Sequence, residues 1–266
     1  MISLVKTPHS PVGKFLRVYR DAPAARLRLV CFPWAGGGAT AFKKLTERVA
    51  DDITLMAVQL PGREDRFQET RITRMEQLVT RITRELLPLN DLPVVFFGHS
   101  MGALVAYEVA QALSSRPNYP LSTVIVSGSN APHVKSCHVR CHHDATELEV
   151  LADIKTLGGT PPGLLADLEV MRSLLPSIRA DYAVLDTYRA QPPIPPLGCP
   201  LVACAAQGDH CVSRTGIDAW AQYTSSLFST HWFEGDHFYL TEAHHPWIEQ
   251  LNAWLVQQTD VEACVI

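Results

Sequence analysis

Pro93-Val94-Val95-Phe96-Phe97-Gly98-His99-Ser100-Met101-Gly102 joins a short apolar run to a Gly-x-Ser-x-Gly pentapeptide, and a strongly apolar stretch follows it. A glycine-bounded run of this length predicts a buried strand over 94–97, and the longer stretch predicts a helix over 101–113. A serine at such a strand-to-helix turn is held in a strained backbone conformation with its hydroxyl raised above the sheet. Glycines two residues to either side remove the Cβ atoms that would collide as the turn tightens. The helix beginning at Met101 directs its free N–H groups toward the reacting centre, where a developing oxyanion gains from them. Ser100 is therefore the candidate nucleophile, and the Met101 N–H a candidate oxyanion donor.

Outward from this turn, short apolar runs alternate with helix-length amphipathic stretches, the pattern of a mostly parallel sheet covered by helices. Strands are predicted over 28–32, 53–60, 94–97, 123–127, 201–206 and 231–233, and helices over 41–49, 75–86, 101–113, 213–223 and 246–257. The segment from about 133 to 190 breaks the rhythm. It carries helical patterns over 147–156 and 168–185 with no strand between them, so it reads as a helical insertion within a single α/β domain spanning 1–266. Beyond it Pro192, Pro193, Pro195, Pro196 and Pro200 force an extended return to the sheet. Insertions at strand carboxyl ends often form lids over active sites.

A nucleophilic serine needs a base, and in α/β-hydrolases the chain order is Ser, then Asp or Glu, then His. Asp209 stands just past the predicted strand 201–206, and His237 just past 231–233 with the final helix beyond. Strand ends on one edge of a parallel sheet are where such sites assemble. The chain holds 11 histidines, so His237 has rivals. His99 adjoins the serine and is expected to point away from it; His244 and His245 precede a helix as surface or capping residues; His9 lies in a tail; His210 neighbours the acid. Asp236 is too close in sequence to reach the His237 ring, and Asp181 and Asp186 belong to the insertion. The second oxyanion donor should come from the turn after an early strand, where Cys31-Phe32-Pro33-Trp34-Ala35-Gly36-Gly37-Gly38 offers the Ala35 N–H. No Lys-Ser/Thr pair follows these glycines, so a nucleotide P-loop is rejected.

Composition narrows the setting. A chain of 266 residues with 47% hydrophobic and 19% charged content buries a sizeable core, and its net charge of −4 supplies no field for gathering phosphates. Nucleic acid is excluded as a partner on this ground. No apolar run reaches the 18 or so residues of a membrane helix, and the opening residues lack a secretory signal, so the expected address is the cytoplasm. The count of 7 cysteines then predicts reduced thiols. Cys137, His138, Cys141, His142 and His143 cluster, but with Cys-x-x-x-Cys spacing and no second ligand pair; a solvated loop is expected there, with no metal and no cofactor. The terminal Cys264 stands third from the end, which fails the prenylation spacing.

The ordered set Phe-Pro-Trp-Ala-Gly-Gly-Gly (32–38), Leu-Pro-Gly-Arg-Glu (60–64), Gly-His-Ser-Met-Gly (98–102), Leu-Gly-Gly-Thr-Pro (157–161), Leu-Pro-Ser-Ile-Arg-Ala-Asp-Tyr (175–182) and Gly-Asp-His-Phe-Tyr-Leu (235–240) resembles the type II thioesterases of nonribosomal peptide and polyketide synthases, relatives of the oleoyl-ACP hydrolases. The likeness runs from about 28 to 255. It implies an α/β-hydrolase fold with an inserted helical lid, and hydrolysis of thioesters on the phosphopantetheine arm of an acyl or peptidyl carrier protein. The family roles fall on Ser100, Asp209 and His237, with Ala35 and Met101 as oxyanion donors. Trp34, Asp236 and His210 depart from the common pattern, which bears more on acyl range than on reaction type. The usual task is removal of stalled or wrong acyl groups; chain release, a general carboxylesterase and a non-catalytic carrier-binding scaffold are the alternatives. The protein is expected to act as a monomer. Carrier proteins are commonly acidic, so docking to this mildly acidic chain is expected to use a local apolar or basic patch.

Overall fold

A computed structural model describes residues 13–116, 118–134, 143–190, 195–242 and 244–257. Apolar runs that are buried on both faces form the centre of one sheet. These are β2 (Leu27–Phe32), β3 (Ile53–Val58), β4 (Val94–His99), β5 (Leu121–Ser127) and β6 (Leu201–Ala206), with β1 (Leu16–Arg20) and β7 (Phe228–Phe233) at the edges. The seven strands lie in the order β1-β3-β2-β4-β5-β6-β7, and every pairing is parallel except β1 with β3. Near-continuous apolar runs are what a doubly covered parallel sheet requires.

Alternation along β4 shows how both faces are used. Val94 and Phe96 join the core beneath α1 (Met75–Leu86) and α2 (Met101–Ser114), together with Leu78, Ile82 and Val109. Val95 and Phe97 join the opposite core, with Phe42, Trp247 and Leu251. The latter two lie on α7 (Trp247–Gln257), the last helix described. Since all strands from β2 to β7 run the same way, the residues following β4, β6 and β7 emerge on one edge. Ser100, Asp209 and His237 follow those three strands.

Helix α2 can lie this close to the sheet because of two glycines. A Cβ at Gly98 would fall 2.2 Å from the Gly102 carbonyl oxygen, and one at Gly102 would fall 2.1 Å from that of Phe32. Both obstacles are main chain, so neither can swing aside. Gly102→Ala is accordingly expected to lower unfolding stability by about 1–3 kcal/mol in urea denaturation. The control is Gly163→Ala, whose added methyl meets nothing within 4 Å. Equal stability of the two variants would mean that the elbow is not tightly packed.

Between β5 and β6 the described residues hold only helices: α3 (Glu147–Leu157), α4 (Pro162–Ala166) and α5 (Leu168–Thr187). Thr146 and Glu149 form a reciprocal capping box at the start of α3, and Gly158 in the left-handed region, at φ 84°, ends it. Val150, Ile154, Met171, Leu175, Ile178 and Tyr182 give this insertion an apolar cluster of its own.

Some element boundaries differ from the sequence expectations. Edge strand β1 was not anticipated, because its two arginines and single antiparallel partner disguise it; charge of this kind is how exposed sheet edges resist further pairing. The helix expected over 41–49 is a 3₁₀ segment at Ala39–Glu47, and that expected over 213–223 divides into α6 (Arg214–Asp218) and a 3₁₀ turn. Strand β3 stops at Val58, short of Leu60, and β7 begins at Phe228, earlier than 231. The short α4 had no counterpart in the sequence expectations.

Candidate active site

Ser100 lies between β4 and α2 at φ 56° and ψ −120°, a conformation that few side-chain-bearing residues adopt. Its N–H donates to the Ser127 carbonyl at 2.8 Å, tying the tip of the elbow to the end of β5. Met101, the first residue of α2, is buried.

Across the same edge, the His237 Nδ1–H donates to Asp209 Oδ2 at 2.8 Å. The other oxygen, Oδ1, accepts the Cys211 N–H at 2.8 Å. The Asp209 side chain is 0% exposed and that of His237 is 6% exposed, so the bond is shielded from competing water. With Nδ1 engaged as donor, a neutral ring carries its lone pair on Nε2, the state a general base needs. Ser100 Oγ makes no hydrogen bond to His237 here; such bonds commonly tighten only with substrate bound.

His99 does not merely point away from the serine. It is fully buried, with its ring centroid 4.9 Å from that of His237. Its Nδ1 pairs with Ser127 Oγ at 2.9 Å, and that hydroxyl in turn meets Tyr239 Oη at 2.7 Å. Burial, and then the nearby His237, hold its pKa well below the ordinary 6.5. His237 therefore packs against an uncharged ring.

The loop after β2 turns tightly. The Gly37 N–H donates to the Trp34 carbonyl at 2.9 Å, and Gly36 at the third corner has φ 78°. This is the geometry of a type II turn, with Ala35 at its second corner. Trp34 packs edge-on against Phe42, His99 and Phe238, so the tryptophan joins the loop to both the elbow and the segment bearing His237.

Two further residues touch this loop, and sequence reasoning gave neither a role. Arg63 forms a two-point ion pair with Asp181 of α5: Nη1 donates to Oδ2 at 2.7 Å and Nη2 to Oδ1 at 2.8 Å. Asp181 Oδ2 also accepts the Gly36 N–H at 2.7 Å, while Arg63 Nη1 donates to the Gly37 carbonyl at 2.8 Å. Asp181 lies on α5, between β5 and β6 in the chain, and reaches the glycine loop. The available signal was a charged residue within each of two motifs, Leu-Pro-Gly-Arg-Glu and Leu-Pro-Ser-Ile-Arg-Ala-Asp-Tyr. Gln59 adds to the same framework, accepting the Ala39 N–H at 2.7 Å and donating to the Arg63 carbonyl at 3.1 Å. The insertion also contacts the base segment, since a Cβ at Gly159 would fall 2.4 Å from a Phe238 ring carbon.

The remaining candidates fall elsewhere. His245 is buried, accepting the Trp247 N–H at the start of α7 and bonding the Glu234 carbonyl, so it caps from inside and not from the surface. His244 and His210 are exposed. Asp236 is exposed too, and its carboxylate lies against Gly208. His9, Cys137, His138, Cys141, His142 and Cys264 lie outside the described residues; His143 Nδ1 pairs with Asp186 at 2.9 Å. Donor atoms of Asp209, Cys211 and His237 all lie within 4.8 Å of one another. Two of those three groups are committed to each other, which suits proton transfer better than metal coordination. No helix among the described residues is long and apolar enough to cross a membrane.

Residues 27–255 match the family model of the thioesterase domain. The gramicidin S biosynthesis protein GrsT of Aneurinibacillus migulanus is 37% identical over 240 residues, covering 90% of this chain and 93% of that protein. Among solved structures, the RedJ thioesterase of the prodiginine pathway in Streptomyces coelicolor superposes with a TM-score of 0.79 at 36% identity, covering 90% of this chain and 88% of that one. The type II thioesterase BorB of the borrelidin cluster gives 0.79 at 34% identity, covering 92% and 98%. The resemblance carried by the six sequence motifs thus extends to the whole fold, and the chain belongs to the thioesterase family, among the type II thioesterases of the α/β-hydrolase fold.

Proposed function

We propose that this protein hydrolyses acyl thioesters on the phosphopantetheine arm of a carrier protein, clearing aberrant acyl or aminoacyl groups from a nonribosomal peptide or polyketide synthase. The observation that carries the reading is the shielded Asp209–His237 pair facing the same sheet edge as the strained Ser100. Relatives named for gramicidin S, prodiginine and borrelidin biosynthesis support the choice of carrier-bound substrates.

In this mechanism Ser100 Oγ attacks the thioester carbonyl while His237 Nε2 takes the hydroxyl proton. The Asp209 carboxylate holds the ring tautomer and stabilises the imidazolium. The Ala35 and Met101 N–H groups receive the oxyanion. Collapse of the tetrahedral intermediate breaks the C–S bond, and the imidazolium returns its proton to the leaving thiol. Water then attacks the acyl-serine ester with His237 again as base, releasing the free acid and restoring the serine hydroxyl. The insertion acts as a lid that shapes the acyl pocket and meets the carrier. The enzyme works as a cytoplasmic monomer, without a cofactor.

The test is incubation with one carrier domain loaded in turn with acetyl, aminoacyl and longer acyl groups, followed by intact mass. The expected result is loss of the acyl mass with the phosphopantetheine arm retained, and turnover well above that of a free ester of the same acid. Faster cleavage of the free ester would favour a general carboxylesterase. Binding of the carrier without deacylation would favour a scaffold.

A further inference from the structure

We infer that the buried Arg63–Asp181 pair is a positioning device for the oxyanion loop, through which helix α5 of the insertion controls whether that loop can stabilise the transition state. The inference rests on the reading of Ala35 as an oxyanion donor.

The geometry fixes the Ala35 N–H from both sides. That N–H shares a peptide plane with the Trp34 carbonyl, which is turned inward by its 2.9 Å bond from the Gly37 N–H. In a trans peptide the N–H points opposite to the carbonyl, so it is directed out of the turn. The next N–H, that of Gly36, is held by Asp181 Oδ2 at 2.7 Å, and the Gly37 carbonyl is held by Arg63 Nη1 at 2.8 Å. Neither peptide can rotate without breaking a charge-assisted bond.

The holding groups are themselves locked. Side-chain exposure is 5% for Arg63 and 2% for Asp181, so few waters can replace their bonds. Ser177, one turn earlier on α5, donates to the Gly62 carbonyl and accepts from Arg71 Nε. Ile178 lies against Gly36 itself, its Cγ1 only 2.9 Å from where a Cβ would stand. One face of α5, through Ser177, Ile178 and Asp181, thus grips both the Gly36 turn and the Leu-Pro-Gly-Arg-Glu segment. A buried ion pair is a costly way to gain stability, since apolar residues of similar volume often do as well. Two charges aimed at two main-chain groups of one turn instead serve geometry. A shift of α5 must either move the turn or break the pair.

Three variants test this on the full chain with acyl-loaded carrier: Asp181→Asn, Arg63→Lys, and the charge-reversed double substitution Arg63→Asp with Asp181→Arg. Asp181→Asn is expected to lower kcat about 10²-fold with KM within about threefold, the signature of a lost transition-state contact. Arg63→Lys, which keeps the charge but loses the fork, is expected to fold and to lose about tenfold in kcat. The double variant is expected to recover melting temperature over Asp181→Asn without recovering kcat, because an arginine at 181 offers the Gly36 N–H no acceptor. Hydrogen exchange of the peptide over 33–38 should accelerate in all three, and it reads loop anchorage whatever the chemistry at Ser100. Wild-type kcat in Arg63→Lys, or recovery of kcat in the double variant, overturns the inference and leaves the pair purely structural. Faster exchange at 33–38 combined with full activity of Ser100→Ala would instead retain the clamp and reject the catalytic reading.

Discussion

Ser100→Ala is expected to lower deacylation of a loaded carrier by up to roughly 10⁶-fold while leaving the fold intact. The loss is large because the proposed mechanism has the serine make the covalent bond, and no other hydroxyl stands on the Gly98–Gly102 turn. Folding should survive because alanine keeps a Cβ and meets the same backbone cost at φ 56° as serine does. Ser100→Gly separates the two effects. It should lose activity equally yet gain about 1–3 kcal/mol in denaturant unfolding, since glycine has no Cβ to oppose a positive φ. Single-turnover assays and urea titrations of wild type and both variants check this. Retained hydrolysis in Ser100→Ala would shift attention to the Cys211 thiol, whose Sγ shares a 4.8 Å neighbourhood with donor atoms of Asp209 and His237.

The parts of this site that were legible in the sequence are those encoded locally. The elbow follows from an apolar run, glycine spacing and a helix start within ten residues, and the order of serine, acid and histidine follows from which strands precede them. The Arg63–Asp181 contact, by contrast, joins residues separated by 118 positions, and neither side chain carries local information about the other. His99 shows the same limit from another direction. The strand pattern predicts its burial, but only the sheet order, with β5 beside β4 and β7 beyond β6, brings His237 against its ring. The 3₁₀ segment Ala39–Glu47 buries Ala39, Phe42 and Leu45 at a spacing of three, which over so short a stretch matches an α-helical stripe as well.

These nonlocal contacts also explain where departures from the common motif pattern matter. Trp34 stands at the start of the glycine loop, and its ring lies 5.3 Å from Phe238 and 5.8 Å from His99. A smaller side chain would open space beside the base without touching the Asp209–His237 bond. Acyl preference is therefore the property expected to follow Trp34. Asp236 sits beside His237 in sequence but is turned to Gly208, so its charge is spent outside the base's hydrogen bonds.

Asp209→Asn should cost about 10⁴-fold in kcat on a loaded carrier, with little change in KM. The reason lies in the second oxygen. In the wild type, Oδ1 accepts the Cys211 N–H at 2.8 Å and Oδ2 accepts from His237 Nδ1 at 2.8 Å, so both ends of the carboxylate face donors. An amide has one acceptor end and one donor end. If its oxygen stays on Cys211, the NH₂ group faces Nδ1, and the ring must accept there and carry its proton on Nε2. That tautomer has no lone pair for the Ser100 proton. If the amide flips to preserve the His237 bond, the NH₂ group confronts the Cys211 N–H in a shielded site, costing about 1–3 kcal/mol. The first arrangement therefore prevails, and the base is held in the wrong state while its position is kept. Nitrogen chemical shifts of the imidazole should report the exchanged tautomer directly, which a loss caused by misfolding would not produce. Asp236→Asn, an exposed change at the neighbouring acid, is expected to leave kcat within about twofold. Similar losses in the two variants would show that proximity of negative charge, and not orientation of the ring, is what the base requires.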